Sequence, residues 1–289
     1  MLKAEVEATE PKLLFCEKVE DENYPDFEIY DMRIKAPRSD YVSVMAVYPK
    51  DAKKNSLKAA FSFQGYGVTP PPIKPRKDYM SITVNAHSLP NRENPEFYAD
   101  IRDNKLRGYG YNKEENTNPE STYWIKMILR DLQALRFFKD HELLNKKDYY
   151  FIGSSQGGMQ ACNIAAHFEK ATAVILNVPW LSDIYGHEIC GRRENKMPKG
   201  LGVTYFDTAV AAENLRCPAY IISGLGDGTC NSSTQMALFN SIKSPKYIEF
   251  YQNKVHSYTI PWDKNAYALG DLSLSDKFGE HTVEYYEYD

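Results

Sequence analysis

The chain has 289 residues, 43% of them hydrophobic and 26% charged. That balance is ordinary for a globular protein, and the length suffices to bury a large core without disulfide or metal staples. With 35 basic and 39 acidic residues the net charge is −4, so no basic excess exists to neutralise a phosphate backbone. Nucleic acid is therefore excluded as a first expectation. No apolar stretch approaches the roughly 20 residues that a membrane helix needs, so no membrane partner is expected.

The five cysteines (Cys16, Cys162, Cys190, Cys217 and Cys230) are scattered without a C-x-x-C pair. An odd, sparse set argues against a disulfide framework and against a zinc site, and no metal or cofactor is expected. Residues 1–10 are acidic and polar and lack the basic flank and apolar run of a signal peptide. The chain as it stands is thus expected in the cytoplasm, or outside the cell if a longer precursor carries an export signal. Aromatic residues are unusually frequent, with 22 Tyr, 13 Phe and 3 Trp.

In chain order, residues 1–26 read as an N-terminal extension. Residues 27–35 (FEIYDMRIK) and 41–48 (YVSVMAVY) alternate apolar and polar side chains, as a half-buried antiparallel pair does. Shorter and more uniformly apolar runs follow at 59–63, 81–84, 149–152, 172–178, 219–223 and 246–251, the pattern of strands covered on both faces. Helical patterns lie between them. Over 119–138, Trp124, Ile128, Leu132 and Leu135 form one stripe that Ile125 and Leu129 widen, with Asn118 and Pro119 as cap and first turn. Residues 156–168 and 232–242 also read as helices. Alternating strands and helices predict an α/β fold: a mostly parallel central sheet with antiparallel N-terminal strands and helices on both faces, over 27–275. Segments 67–79, with four prolines, and 186–202, rich in Gly and charge, read as long loops of the kind that carry function. Residues 276–289 read as a loosely held acidic tail.

The sharpest motif is Gly153-Ser154-Ser155-Gln156-Gly157-Gly158, a G-x-S-x-G pattern between a predicted strand and a predicted helix. A hydroxyl is a weak nucleophile unless it is presented beside a base. A strained turn flanked by glycines lifts Ser155 clear of the sheet, and the helix start at Gln156 aims backbone N–H groups at a developing oxyanion. A plain Gly/Ser turn would account for the motif alone. Partners in hydrolase order weigh against that reading: Asp227 follows the strand at 219–223, and His256 follows the strand at 246–251. Among the other histidines, His187 is the best alternative base, and Asp183 is the second choice for the acid. Phe63-Gln64-Gly65-Tyr66-Gly67 sits where a second oxyanion donor belongs, with the Tyr66 N–H beside that of Gln156.

Taken together, these residues resemble the acetyl xylan esterase and cephalosporin C deacetylase family of α/β-hydrolases, from about Phe27 to Pro261. Residues 153–158 are similar to the family's Gly-Gly-Ser-Gln-Gly-Gly elbow. Asn177-Val178-Pro179-Trp180 resembles its Asp-Val-Pro-Phe, the stretch from Tyr205-Phe206-Asp207 to Cys217-Pro218 resembles the helix leading to the acid-bearing strand, and Gly224-Leu225-Gly226-Asp227 with Cys230 resembles its Gly-Leu-x-Asp-x-x-Cys. The resemblance implies Ser155, Asp227 and His256 as the triad, with Tyr66 and Gln156 at the oxyanion hole. The family's His-Gly-Tyr stands here as Gln64-Gly65-Tyr66, its Arg-Gly-Gln-Gly as Arg107-Gly108-Tyr109-Gly110, and its His-Glu as His256-Ser257. Its N-terminal helical segment with a Phe-Trp pair has no counterpart before Phe27.

The expectation is therefore a serine esterase that removes small acyl groups, acetyl foremost, from sugars or related alcohols. Tyr109 and Trp180 are expected to line an aromatic entrance suited to a sugar face, and the small net charge suits a neutral substrate. An esterase or peptidase for larger acyl groups and a non-catalytic binder on a hydrolase scaffold stand as alternatives. Assembly as a homo-oligomer is left open.

Overall fold

A computed structural model describes residues 2–189, 197–252, 254–256 and 282–286. The elements in chain order are α1 (Leu2–Ala8), β1 (Leu13–Lys18), β2 (Phe27–Ala36), β3 (Ser39–Pro49), β4 (Leu57–Phe63), β5 (Tyr79–Val84), α2 (Pro95–Asp100), α3 (Tyr123–Phe138), β6 (Leu144–Ser154), α4 (Gln156–His167), β7 (Ala173–Asn177), α5 (Ile184–Ile189), α6 (Leu201–Thr204), α7 (Thr208–Ala212), β8 (Ala219–Gly224), α8 (Ser232–Ser241), β9 (Lys246–Tyr251) and β10 (Thr282–Tyr286). The strands form one sheet in the order β1-β2-β3-β5-β4-β6-β7-β8-β9-β10. The pairs β1·β2, β2·β3 and β3·β5 are antiparallel, and every pair from β5·β4 to β9·β10 is parallel. This is the α/β sheet expected, with its antiparallel strands at the N-terminal edge.

The order reverses at β4. From β4 the chain crosses to β5 on one side, then returns to β6 on the other. In an open α/β sheet the carboxyl ends of the two strands flanking such a reversal diverge into a crevice where ligands bind. Here those strands are β4, followed by the Gln64–Gly67 turn, and β6, followed by Ser155.

Odd-numbered residues of β4 and β6 (Phe61, Phe63, Tyr149 and Phe151) point into the largest apolar cluster with residues of α1, α3, α4, α7 and α8. Their even-numbered neighbours Ala60, Tyr150 and Ile152 join a smaller cluster on the opposite face. Both faces of the central strands are thus buried, as their continuous apolar runs require. Helix α3 begins later than its stripe suggests. Asn118 caps a separate short 3₁₀ turn at Pro119–Ser121, and the Thr122 side chain caps α3 by accepting from the Ile125 N–H.

Two expectations about the ends are corrected. Residues 2–18 are not an appendage: β1 pairs with β2 as the edge strand, and α1 is tied to the body by a two-pronged ion pair from Arg38 to Glu5 at 2.6 and 2.7 Å. Gln133 of α3 also donates to the Thr9 and Lys35 carbonyls, at 3.0 and 2.9 Å. Within the expected loose tail, residues 282–286 form β10, in parallel register with β9 from Thr282↔Tyr247 to Tyr286↔Tyr251. The rest of 276–289, the expected boundary at 275 and residues 190–196 of the long loop lie outside the described residues.

Helices α3 and α4 meet through a polar contact in an otherwise apolar interface. Gln160 Nε2 donates to Asp131 Oδ2 at 2.7 Å, and Asp131 Oδ1 has no partner among the described residues. Complete burial pushes the Asp131 carboxyl up to about 7, against the smaller opposing pull of the Gln160 hydrogen bond. The folded state therefore holds a proton that the unfolded chain loses near pH 4. This contribution is fully present below about pH 4, is lost as pH rises to about 7, and is constant above that, a loss on the order of 4 kcal/mol. An Asp131→Asn variant carries no such proton. Its thermal midpoint relative to wild type is expected to climb between pH 4 and pH 7 and then level off, as followed by circular dichroism; a difference independent of pH contradicts the assignment.

Candidate active site

Ser155 sits at the turn between β6 and α4, with φ 55° and ψ −120°, a conformation that a side chain rarely tolerates. Close packing imposes it. A Cβ on Gly153 would lie 1.9 Å from the Gly157 carbonyl oxygen, and one on Gly157 would lie 2.3 Å from that of Phe63. Only glycine at these two positions lets the helix start fold back onto β6 and β4. The turn is then fixed from the β7 side: the Ser155 N–H donates to the Asn177 carbonyl at 2.9 Å, and the Trp180 N–H donates to the Ser155 carbonyl at 3.0 Å.

Three side chains from three strand ends converge there. His256 Nε2 lies 2.9 Å from Ser155 Oγ, and His256 Nδ1 lies 2.8 Å from Asp227 Oδ2. The Asp227 carboxylate is buried, and its other oxygen accepts from the Thr229 and Cys230 N–H groups at 2.7 and 2.8 Å. Those bonds satisfy the acid and aim its free oxygen at the imidazole. With Nδ1 donating to a carboxylate, Nε2 is left to accept from the serine hydroxyl. The second-choice acid, Asp183, instead accepts from the Gly186 N–H at 3.1 Å. The alternative base, His187, has a side chain outside the described residues.

Gly65 packs beside Ser154 and Ser155, so the turn after β4 faces the elbow. Neither the Tyr66 N–H nor the Gln156 N–H has a hydrogen-bond partner among the described residues. A cavity of about 390 Å³ opens over Ser155 and His256, walled by Gly65, Tyr66, Tyr111, Trp180 and Thr229. Trp180 thus stands in the pocket wall.

Tyr109 does not, which corrects the expectation. It is buried one layer behind Tyr66, whose ring stacks on it at a centroid distance of 4.3 Å and an interplanar angle of 13°. Tyr111 takes the wall position, edge-on to Tyr66. Tyr109 lies in the turn at residues 107–110 and Tyr111 just after it, and no periodicity in the sequence tells the two apart. Thr229 follows the acid in the same turn and carried no signal of its own.

Beneath the pocket, Asp207 fixes the Trp180 loop. Its carboxylate accepts from the Asp183, Ile184 and Ala209 N–H groups at 3.0, 2.8 and 2.8 Å. That loop holds Val178, Leu181 and Asp183 at positive φ, so it needs such support.

Among the described residues, the one group of side chains that could hold a metal ion is Asp227, Cys230 and His256, whose ligand atoms lie within 4.8 Å of one another. The carboxylate and imidazole atoms of that group are already engaged with each other, with Ser155 and with backbone N–H groups. The arrangement suits proton transfer between serine and imidazole rather than metal ligation.

The family model for acetyl xylan esterase matches residues 3–190 and 188–269. Acetyl esterase Axe7A of Xylanibacter ruminicola is 23% identical over 254 residues, which cover 82% of this chain and 57% of that protein. The chain thus spans little more than half the length of that curated relative. The fold is similar to acetyl xylan esterase from Paenibacillus sp. R4, with a TM-score of 0.77 and 18% identity over 93% of this chain and 90% of the other. Acetyl xylan esterase 1 from Thermoanaerobacterium sp. JW/SL YS485 has a TM-score of 0.75 at 18% identity, over 92% of this chain and 89% of that one. The Pyrococcus horikoshii acylaminoacyl peptidase is more distant, with a TM-score of 0.58 and 14% identity over 80% of this chain and 38% of that chain. With the family matched over nearly its whole length, the chain belongs to the acetyl xylan esterase family.

Proposed function

We propose that the protein is a serine esterase that removes small acyl groups, acetyl foremost, from sugars or related alcohols by way of an acyl-enzyme. One observation carries the reading: Ser155 Oγ, the His256 ring and the Asp227 carboxylate form an unbroken hydrogen-bonded line at the floor of an open cavity. Ser155 Oγ attacks the ester carbonyl carbon while His256 Nε2 takes its proton. Asp227 holds the ring in the required tautomer and stabilises the imidazolium. The Tyr66 and Gln156 N–H groups, which have no other partner among the described residues, receive the oxyanion. Such donors act only where charge develops, and each is worth about 3 kcal/mol of transition-state stabilisation.

Collapse of the tetrahedral intermediate expels the alkoxide, which takes the proton from His256. Water then gives a proton to His256, attacks the acyl carbon, and releases the carboxylic acid as Ser155 Oγ recovers that proton. The cavity is at the small end of the range for ligand sites and is bounded by the rings of Tyr66, Tyr111 and Trp180. That favours a short acyl group, with aromatic faces left for the apolar side of a sugar ring.

Ser155→Ala is expected to lower the rate of p-nitrophenyl acetate hydrolysis by roughly 10³-fold or more, because the remaining groups act as a unit with the nucleophile. A variant as fast as wild type would exclude the mechanism and favour a non-catalytic binder. Across p-nitrophenyl acetate, butyrate and octanoate, kcat/KM is expected to fall with chain length; a rise toward octanoate would point instead to an enzyme for larger acyl groups. Acetate release from acetylated xylo-oligosaccharides, measured by mass spectrometry, tests the alcohol side, and absence of release from every acetylated saccharide would remove sugars from the reading.

A further inference from the structure

We infer that Tyr109 and His87 are positioning residues that hold the two backbone donors of the oxyanion hole in register; this rests on the esterase reading above. The donors come from separate segments, the turn after β4 and the start of α4. One buried hydroxyl ties them together. Tyr109 Oη accepts from the Gly67 N–H at 3.1 Å and donates to Gln156 Oε1 at 2.7 Å. Gly67 directly follows Tyr66, and Gln156 is itself the other donor residue. Because the hydroxyl accepts from one segment and gives its single proton to the other, neither segment can slide without breaking a buried hydrogen bond.

His87 clamps the other side of the same residue. Its Nε2 lies 2.7 Å from the Gly67 carbonyl, so Nε2 carries the proton, and Nδ1 accepts from the Tyr123 hydroxyl at 2.7 Å. Burial lowers His87 to about 4, so the ring stays neutral and keeps this tautomer at neutral pH. Gly67 itself sits at φ 148°, in the region that favours glycine, and both its N–H and C=O are bonded to buried side chains.

His87 is held in turn. Its N–H donates to Asn85 Oδ1 at 2.9 Å, Asn85 Nδ2 donates to Asn91 Oδ1 at 3.1 Å, and Asn91 Nδ2 donates to Asp31 Oδ1 of β2 at 2.7 Å. The His87 ring meets Tyr109 edge-on at 4.6 Å, and Tyr66 stacks on the far face of the assembly at the pocket.

Tyr109→Phe removes the bridging oxygen and keeps the ring stack. Its kcat and KM for p-nitrophenyl acetate are compared with wild type, together with the Ki of an aryl trifluoromethyl ketone whose hemiketal oxygen must sit in the oxyanion hole. All rates are referred to Ser155 titrated with a fluorophosphonate. The expected result is a 10- to 100-fold fall in kcat with KM within threefold, and a Ki raised by a matching factor, since small misplacement of a donor costs up to about 10². Kinetics and Ki within twofold of wild type would overturn the inference while leaving the esterase reading intact. Wild type inactive on the acetate ester would overturn the reading itself and the inference with it. If Tyr109→Phe does not fold, the pair His87→Gln and His87→Leu carries the test. The amide N–H of Gln can still donate to the Gly67 carbonyl, so His87→Gln is expected to retain at least threefold more kcat than His87→Leu at similar KM. Equal kcat values would overturn the inference.

Discussion

The close approach of β6, α4 and β4 at the elbow is the constraint on which the rest of the site depends. Gly153 and Gly157 remove the two Cβ atoms that would hold these backbones apart, and Ser155 is left in a strained conformation that points its Oγ away from the sheet. Strain of this kind costs on the order of 1–3 kcal/mol and persists only where the surroundings over-determine it. Here they do. The Ser155 N–H is fixed to β7, its C=O to the Trp180 loop, and the first turn of α4 to the same carbonyl through the Gly158 and Met159 N–H groups at 2.9 and 3.2 Å.

From that point the geometry propagates outward along the strand ends. Parallel strands β6, β8 and β9 bring Ser155, Asp227 and His256 to one edge of the sheet, although they are far apart in the chain. A carboxylate as buried as Asp227 is costly unless hydrogen bonds satisfy it. Two backbone N–H groups and the imidazole do so, which makes the acid part of the turn's own architecture. Part of the aromatic content has a similar place. Tyr66, Tyr109, Tyr111, Tyr123, Trp124 and Trp180 form one contiguous set of ring contacts running from the pocket wall into the core. Large flat side chains support the pocket there, and the Tyr109 and Tyr123 hydroxyls serve as specific hydrogen-bonding groups.

How far this was legible in the sequence depends on what each feature needs for its definition. The parallel strands were readable because burial on both faces demands continuous apolar runs. The convergence of Ser155, Asp227 and His256 was readable because chain order and position after a strand are local properties. Strand β1 left no such signal: as an edge strand it is exposed at nearly every position, so its residues do not alternate. Strand β10 is defined by its parallel partner β9 and was hidden within an acidic, aromatic stretch. Tyr109 was assigned to the right loop and the wrong layer, since a two-residue offset decides which tyrosine faces the pocket and no periodicity marks it. No local pattern marks His87 in the sequence. Its contact with Gly67 spans 20 residues and depends on tertiary packing alone.

The central claim is that backbone geometry selects one of two adjacent serines as the nucleophile. Ser154 accepts a hydrogen bond from Asn177 Nδ2 at 3.1 Å, whereas Ser155 faces His256. Reaction with a fluorophosphonate, followed by proteolysis and mass spectrometry of the peptide containing residues 153–158, tests this directly. The account predicts one adduct per chain, located on Ser155. An unmodified peptide, or an adduct on Ser154, would contradict it.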